Sequence, residues 1–199
     1  MDIESILAFL RAAEKLKTTH RSGYTSAGNP ESVAEHTWRL CLMAMLLGPE
    51  IGGVDVGRLV QICLVHDLGE AISGDVPAPE QARRVASGAP AKHTDERQDV
   101  VTLASLLPVK QRDEIVALWE EYEAGTSLEG QLAKSLDKLE TILQHTQGDN
   151  PPDFDLRFNL GYGREYTARP PLIAALRTIL DQDTARLADE SSANRKQNE

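Results

Sequence analysis

The sequence is poor in cysteine and has no long apolar run, and each shortage excludes a class of protein. Two cysteines occur among 199 residues, without a CxxC pair, which excludes a framework of several disulfides and a cysteine-based zinc finger. Both of them, Cys41 and Cys63, fall in apolar helical patterns, and this placement predicts small buried side chains. No run of eighteen apolar residues is present, so the sequence predicts no membrane-spanning helix.

Basic residues are outnumbered by acidic ones: the chain has 21 Lys and Arg against 31 Asp and Glu, and its formal net charge is −10. Binding to a nucleic-acid polymer requires clustered Lys and Arg, so this balance disfavours a non-specific nucleic-acid-binding protein. A small anionic substrate is compatible with the charge, because a metal ion and one or two arginines hold a phosphate group locally.

The first residues, MDIESILAFLRAAEKLK, start acidic and amphipathic, unlike a secretory signal. We therefore expect a cytoplasmic protein.

Apolar residues recur at helical spacing through almost the whole chain. The pattern predicts helices from Ile3, from Pro30 with Ser32 or Asn29 as N-cap, from residue 56 with Asp55 as N-cap, and at about residues 94–107, 109–124, 128–147 and 171–187. Segments rich in Gly, Pro, Ser and Asn predict loops at residues 20–30, 78–93 and 148–163. No period-two pattern indicates a strand.

No internal repeat and no linker of domain-dividing length interrupts the chain. We predict a single all-α helical bundle at residues 1–188 and a disordered polar tail, DESSANRKQNE, at residues 189–199.

The segment LVHDLGEAISGD, residues 64–75, places His66 and Asp67 directly after the apolar run LVQICLV. Burial of these two side chains is costly unless they pair with other groups or bind a ligand. His36 on the preceding helix and Asp137 in KSLDKLE would complete a set of two imidazoles and two carboxylates. Such a mixed set suits one divalent transition metal, Mn, Fe, Co, Ni or Zn, with positions left for water and substrate.

Simpler interpretations exist for these residues when each is taken alone. A single buried histidine such as His36 is more often a hydrogen-bonded core residue, and Asp137 has the pattern of a solvated helix face. Sequence spacing does not show that the four side chains meet.

Three segments, PESVAEHTWRL, LVHDLGEAISGD and KSLDKLE, resemble the HD-domain superfamily of metal-dependent phosphohydrolases. Within that superfamily they look most like the 5′-deoxynucleotidases, which hydrolyse nucleoside 5′-monophosphates, and the resemblance covers roughly residues 5–150. It implies an HD-type helical bundle with one metal between helices, and it aligns the family's H…HD…D ligand motif with His36, His66, Asp67 and Asp137. Relatives are commonly homodimers, for which the apolar first and last helices offer surface.

The same resemblance implies the roles of four further residues. Glu70 and Asp75 match the carboxylates that act at the reacting phosphate and water, without indicating which one is the general acid. Arg21 matches an arginine that contacts the phosphate or sugar. Glu35 is expected at the substrate site, where it would orient a metal ligand or Arg21.

Differences from sibling families narrow this assignment. Guanosine tetraphosphate hydrolases have consecutive Glu and Asp after the HD pair, whereas Glu70 is followed here by Ala71. Cyclic-di-GMP phosphodiesterases have lysine at the position of Glu70. Only His93 lies between Asp67 and Asp137, which disfavours a full second metal site. Two alternatives stay open: an HD enzyme for another phosphoester, and a non-catalytic helical module stabilised by metal.

Several other side chains have weaker expectations attached to them. Trp38 is expected in the core, and Lys134 either at the phosphate or on the surface. No role is expected for His20, His93 or His145.

Overall fold

The computed structural model describes residues 2–77, 80 and 93–197. In chain order its elements are α1 (Ile3–Ala13), a 3-10 helix (Glu14–Lys17), β1 (His20–Tyr24), β2 (Pro30–Ser32), α2 (Val33–Ile51), α3 (Val56–Val65), α4 (Glu70–Ser73), α5 (His93–Ala104), α6 (Val109–Ala124), α7 (Leu128–Gln147), a second 3-10 helix (Leu156–Leu160), α8 (Arg164–Thr167) and α9 (Pro171–Gln197). The predicted all-α helical bundle is confirmed. No helix of the described residues is both long and apolar enough to cross a bilayer.

The helix starts follow from capping side chains. Ser32, and not Asn29, caps α2: its hydroxyl accepts a hydrogen bond from the backbone N–H of Glu35. Asp55 caps α3 as predicted, by accepting a hydrogen bond of 3.0 Å from the N–H of Arg58. Helices α6 and α7 have the predicted bounds, Val109–Ala124 and Leu128–Gln147.

Residues 20–32 differ from the prediction of a loop that leads into a helix at Pro30. They form an antiparallel hairpin of β1 and β2, and α2 begins only at Val33. The strands show no alternating apolar residues, because their buried positions are Gly23 in β1 and the polar residues Glu31 and Ser32 in β2. A Cβ atom on Gly23 would lie 3.2 Å from side-chain atoms of Gln144 and His145, so glycine lets the hairpin lie close to α7.

The last helix is longer than predicted. It continues past residue 187 to Gln197, through most of the segment predicted to be a disordered polar tail. Apolar periodicity fades there, but Ala188 is buried and Arg186 forms an ion pair of 3.1 Å with Glu190 one turn on. The predicted helix at 94–107 ends earlier, at Ala104. Most of the predicted loop at 78–93 lies outside the described residues, and the division at residue 188 stays a prediction.

Helix α7 lies in the middle of the bundle, where it packs against α2, α3, α6 and α9. The apolar core around it includes the fully buried side chains Leu40, Leu59, Ile62, Leu136, Leu139 and Ile142. Burial of each such side chain contributes about 1.5–3 kcal/mol to folding. Because α7 is covered on most sides, its polar residues Asp137, Glu140 and Thr141 are buried as well.

Burial was predicted for Cys41, Cys63 and Trp38, and of these three side chains only Cys63 is fully buried. Cys63 is buried and Cys41 half-buried, and both are free thiols. Trp38 was expected in the core, but 67% of its surface is exposed. The buried stripe of α2 runs through His36, Leu40 and Ala44, and Trp38 lies on the opposite side of the helix.

Candidate metal centre and adjacent cavity

Four side chains from three parts of the bundle meet at one point. Between them lie His36 Nε2–Asp137 Oδ1 at 3.3 Å, His66 Nε2–Asp67 Oδ2 at 3.0 Å, and His36 Nε2–Asp67 Oδ2 and His66 Nε2–Asp137 Oδ1 at 4.0 Å. Two atoms that bind one ion at about 2.1 Å lie about 3.0 Å apart at a right angle and about 4.2 Å apart on opposite sides. The ligand atoms of His36, His66 and Asp67 all lie within 4.8 Å of one another, and Asp137 Oδ1 lies within 4.0 Å of both imidazoles, which is the spacing expected around a single ion.

Both imidazoles direct to this point an Nε2 atom that makes no hydrogen bond with the described residues. His36 and His66 are both buried. A buried polar atom without a partner is unfavourable and calls for an explanation. A divalent ion bound to the Nε2 lone pairs supplies one, so the residues present fit a metal.

The end of α3 fixes the tautomer of His66. Its Nδ1 donates a hydrogen bond of 2.7 Å to the carbonyl oxygen of Cys63, one of the carbonyls that the last turn of a helix leaves without a partner. His66 keeps helical backbone angles beyond the end of α3, which places Asp67 directly beside it. Because Nδ1 carries the proton, the Nε2 lone pair points toward the carboxylates.

Glu140 fixes the tautomer of His36, and the sequence motifs did not predict this role. The fully buried carboxylate of Glu140 accepts a hydrogen bond from Nδ1 of His36, and it accepts another, of 2.6 Å, from Nε of Arg39. Burial raises the pKa of Glu140, but His36 and Arg39 outweigh it and leave that pKa below its ordinary value. A signal was present in KSLDKLE, because Glu140 follows Asp137 by three residues on the same helix face.

Both carboxylates of the candidate site are held ionised. Burial raises the pKa of Asp67, but His66, Arg21 and His36 outweigh it and hold that pKa below its usual range. The pKa of Asp137 also lies well below its usual range, although the side chain is buried, because Lys138 and the two histidines stabilise its charge. Oδ2 of Asp137 accepts hydrogen bonds from the Tyr122 hydroxyl at 2.7 Å and from Lys138 Nζ at 2.8 Å. Its other oxygen, Oδ1, faces the histidines.

The pKa of His36 is shifted upward. Burial and Arg21 lower the pKa of His36, but Glu140 and Asp137 raise it more strongly, to about 10. A metal at Nε2 therefore competes with a proton there.

A cavity of about 630 Å³ opens beside these four residues, within the range of small-molecule sites. Its polar lining includes Arg21, Asp67, Glu70, Asp75, Lys134, Asp137 and Lys138.

Arg21 reaches the cavity from β1. Its guanidinium donates to Asp67 Oδ2 at 3.2 Å and to Thr141 Oγ1 at 3.0 Å, and Nε lies 3.6 Å from Glu31 Oε2. Burial lowers the pKa of Arg21, but Asp67, Asp137 and Asp75 outweigh this effect and raise the pKa above its ordinary value, so the charge is permanent. The hairpin thus places a cation next to the candidate ligands.

The two carboxylates predicted to act in catalysis also line the cavity. Glu70 is the first residue of α4 and is buried. Asp75 follows Gly74, whose φ of 79° reverses the chain at the end of α4 and favours glycine. The structure therefore brings Arg21, Glu70 and Asp75 to the candidate metal centre.

Glu35 does not join them, which corrects the prediction made for it. Its carboxylate accepts hydrogen bonds from the backbone N–H of Ser32 at 2.7 Å and from the hydroxyl of Ser32 at 2.8 Å, which completes a capping box. The side chain is exposed and does not line the cavity. Glu140 orients the candidate ligand His36 instead, and Glu31 lies next to Arg21.

Two lysines and one histidine outside the motif also lie in or near the site, at the cavity wall and in the core. Lys134 and Lys138 both line the cavity. The sequence allowed Lys134 either at the phosphate or on the surface, and it gave no signal for Lys138, because a lysine on a helix has the pattern of a surface residue. His145, expected to have no role, is buried and paired with Asn159 through a hydrogen bond of 2.8 Å. His20 is exposed, and the side chain of His93 lies outside the described residues.

Comparison with known proteins supports the resemblance seen in the motifs. The HD domain family matches residues 13–176 of the chain. The chain belongs to this family.

Similar proteins were found in eukaryotes and in bacteria. The human 5′-deoxynucleotidase HDDC2 is 37% identical over 145 residues, which cover 72% of this chain and 68% of the human protein. The 5′-deoxynucleotidase hdd1 of Schizosaccharomyces pombe is 34% identical over 146 residues and 70% of each chain. A crystal structure from Magnetospirillum magnetotacticum, described as a predicted metal-dependent phosphohydrolase, superposes with a TM-score of 0.79 at 27% identity, over 92% of this chain and 93% of that one.

Proposed function

We propose that this protein is a metal-dependent phosphomonoesterase that hydrolyses deoxynucleoside 5′-monophosphates to nucleoside and phosphate. One observation carries the proposal: the ligand atoms of His36, His66, Asp67 and Asp137 converge beside a cavity that also holds Arg21, Glu70 and Asp75. The names of the related 5′-deoxynucleotidases support the choice of substrate.

The four converging residues would hold one divalent transition ion, Mn, Co, Ni, Fe or Zn. When bound, such an ion lowers the pKa of water and polarises a phosphoryl oxygen. Glu140 and the carbonyl of Cys63 keep the two imidazoles in the tautomer that this binding requires.

Arg21 offsets negative charge on the transferring phosphoryl group. Its guanidinium is fixed by Asp67 and Thr141, so little order is lost when a phosphate arrives. Lys138 adds a second cation at the same end of the cavity.

Glu70 and Asp75 handle protons and water. Attack of water on phosphorus breaks the bond between phosphorus and the nucleoside 5′-oxygen, which must gain a proton as it leaves. One of the two carboxylic acids donates that proton, and the other positions the attacking water. Both line the cavity beside Asp67, as these roles demand.

The protein is further proposed to act as a homodimer in the cytoplasm. The apolar surface that favours a second copy lies less on the first and last helices than on α2. There the exposed side chains Trp38, Leu42, Met45 and Leu46 follow one face of the helix.

Phosphate release tests the enzymatic proposal directly. The protein is stripped with a chelator, reloaded with Mn, Co, Ni, Fe, Zn or Mg, and incubated with ribo- and deoxyribonucleoside 5′-monophosphates. Release that depends on the ion and favours the deoxy series is expected. Absence of release with every ion, while an ion still binds, would contradict it. A panel of other phosphoesters then separates another HD hydrolase from a metal-stabilised module without activity.

A further inference from the structure

Aromatic residues are rare in this chain and concentrated at the cavity. The sequence has three Phe, two Trp and four Tyr. Four of these nine line the cavity beside the candidate metal centre: Tyr122, Phe158, Tyr162 and Tyr166. Aromatic side chains supply flat apolar area with little conformational freedom to lose, which suits them to bind a flat partner.

Three of the four belong to one short stretch of chain. Phe158, Tyr162 and Tyr166 follow one another at intervals of four residues, from the second 3-10 helix into α8. The sequence predicts only a loop at residues 148–163, which include Phe158 and Tyr162, and neither metal binding nor phosphate transfer accounts for these three rings. It forms an aromatic wall of the cavity.

The rings of this wall differ in how they are already engaged. The centroids of Phe158 and Tyr162 lie 5.4 Å apart, and Lys138 Nζ stands 5.2 Å from the Tyr162 centroid. The Tyr122 ring lies 5.1 Å from the His66 ring and carries Lys134 Nζ at 4.3 Å. Tyr166 is 38% exposed and lies at the rim, which leaves ring surface for a ligand.

Helix α7 gives the cavity a direction. Three residues follow each other along one face of α7, at about one helical turn per step: Thr141, Asp137 and Lys134. Thr141 accepts a hydrogen bond from Arg21. Lys134 Nζ lies 5.8 Å from the Tyr166 ring centroid. The cavity thus runs from a charged end at Arg21 and the candidate ligands to an aromatic end at Tyr166.

A second groove, of about 950 Å³, continues beyond the aromatic end. It shares the residues Glu123, Lys134, Glu165 and Tyr166 with the cavity. Tyr166 therefore stands at an opening, where a flat group that leaves the charged end has room.

We propose that the nucleobase of the substrate stacks on the ring of Tyr166, with the phosphate at the Arg21 end and the sugar between them. The assignment rests on the proposed function and makes Tyr166 a binding residue for the base. Every nucleobase offers an aromatic face to such a ring, and loss of one stacking contact weakens binding by about tenfold.

A substrate without a base tests this assignment. For the wild type and for Tyr166→Ala, the KM and kcat for deoxyadenosine 5′-monophosphate are measured, together with the inhibition constant of 2-deoxyribose 5-phosphate as a competitor. The variant is expected to raise KM about tenfold with kcat within a few-fold of the wild type. The inhibition constant of the sugar phosphate is expected to stay unchanged, because it lacks the base.

Two matched variants complete the experiment. Tyr166→Phe keeps the ring and is expected to match the wild type. Ile179→Ala removes an exposed apolar side chain of α9 that does not line the cavity, and is also expected to match it. Equal weakening of both ligands by Tyr166→Ala, or no change in either, would overturn the proposal.

Failure of the proposed function is distinguishable from failure of this assignment. If the wild type releases no phosphate from any nucleotide, the phosphatase proposal fails. Calorimetric binding of deoxyadenosine 5′-monophosphate to the metal-loaded wild type and to Tyr166→Ala then decides the question of stacking. Equal affinities, or no binding to the wild type, would contradict it.

Discussion

The carboxylate of Glu140 joins a candidate metal ligand to an arginine on the outer part of α2. It accepts a hydrogen bond from Nδ1 of His36 with one oxygen and a bond of 2.6 Å from Nε of Arg39 with the other. Arg39 is held in turn by Gln144 and, at 3.0 Å, by Gln147. The orientation of His36 is therefore set by a network whose far end is exposed.

Glu140→Gln is expected to weaken metal binding by about 10- to 100-fold. The amide keeps the shape of the side chain but removes the charge that holds the Nδ1 proton of His36 and raises the basicity of its Nε2. Competition with a chromogenic chelator measures the affinity for zinc. Glu114→Gln, an exposed position on α6, serves as control and is expected to bind like the wild type. Unchanged affinity in Glu140→Gln would show that Glu140 does not position His36.

Asp67→Ala is expected to lose metal and activity together. The substitution removes a proposed ligand and also the partner that holds Arg21 at 3.2 Å. Metal content after dialysis and phosphate release are measured on the same sample. Asp113→Ala, on the exposed side of α6, is expected to keep both. A variant that retains its metal would remove Asp67 from the ligand set.

Glu70→Ala is expected to keep the metal and to lose turnover by about 10²- to 10⁴-fold, as for loss of a general acid or base. Asp75→Asn is expected to act in the same range. p-Nitrophenyl phosphate separates their roles, because its leaving group departs without a proton. The variant of the acid therefore recovers activity on that substrate, and the variant of the residue that positions water does not. Wild-type turnover in Glu70→Ala would exclude it from the reaction.

Much of the site was predictable because its residues lie in short contiguous motifs. HDLGEAISGD contains two proposed ligands and both proposed catalytic carboxylates, and the chain needs one helix end and one glycine turn to present them. Glu140 and Lys138 were missed for a physical reason. A polar residue on a helix has the same pattern whether its face is solvated or covered, and only the central position of α7 decides between them.

The hairpin and the exposed tryptophan were missed for related reasons. A short two-stranded sheet whose buried residues are Gly23, Glu31 and Ser32 has no alternating apolar pattern to detect. Trp38 is apolar and lies in an apolar helix, but burial depends on which face the rest of the bundle covers. Capping residues were predictable, since a cap acts within three residues of its own position.

His145 is expected to make stability depend on pH. Burial lowers its pKa below the ordinary value of about 6.5, and Asn159 only partly offsets this. The unfolded chain thus binds a proton more readily than the folded one, so stability is present above pH 6.5 and is lost as the pH falls. Removal of this one group should flatten the dependence by up to about 1.4 kcal/mol per pH unit below pH 6.5.

Urea unfolding at pH 5, 6, 7 and 8 measures this effect, in the presence of a chelator. His145→Gln is expected to be less stable at pH 7 and to lose less stability toward pH 5 than the wild type. His20→Gln is the control, and its slope is expected to be that of the wild type because the side chain is exposed. Equal slopes for all three proteins would mean that His145 does not contribute.

The apolar face of α2 is expected to hold two copies of the chain together. Trp38, Met45 and Leu46 are 67%, 57% and 65% exposed, and a contiguous apolar patch on a protein surface commonly marks an interface. Leu46→Glu places a charge on this face, so sedimentation velocity is expected to show a dimer for the wild type and a monomer for the variant. Val109→Glu changes an equally exposed residue at the start of α6 and should remain dimeric. If both variants stay dimeric, the interface lies elsewhere, and the exposed residues of α1 become the next surface to test.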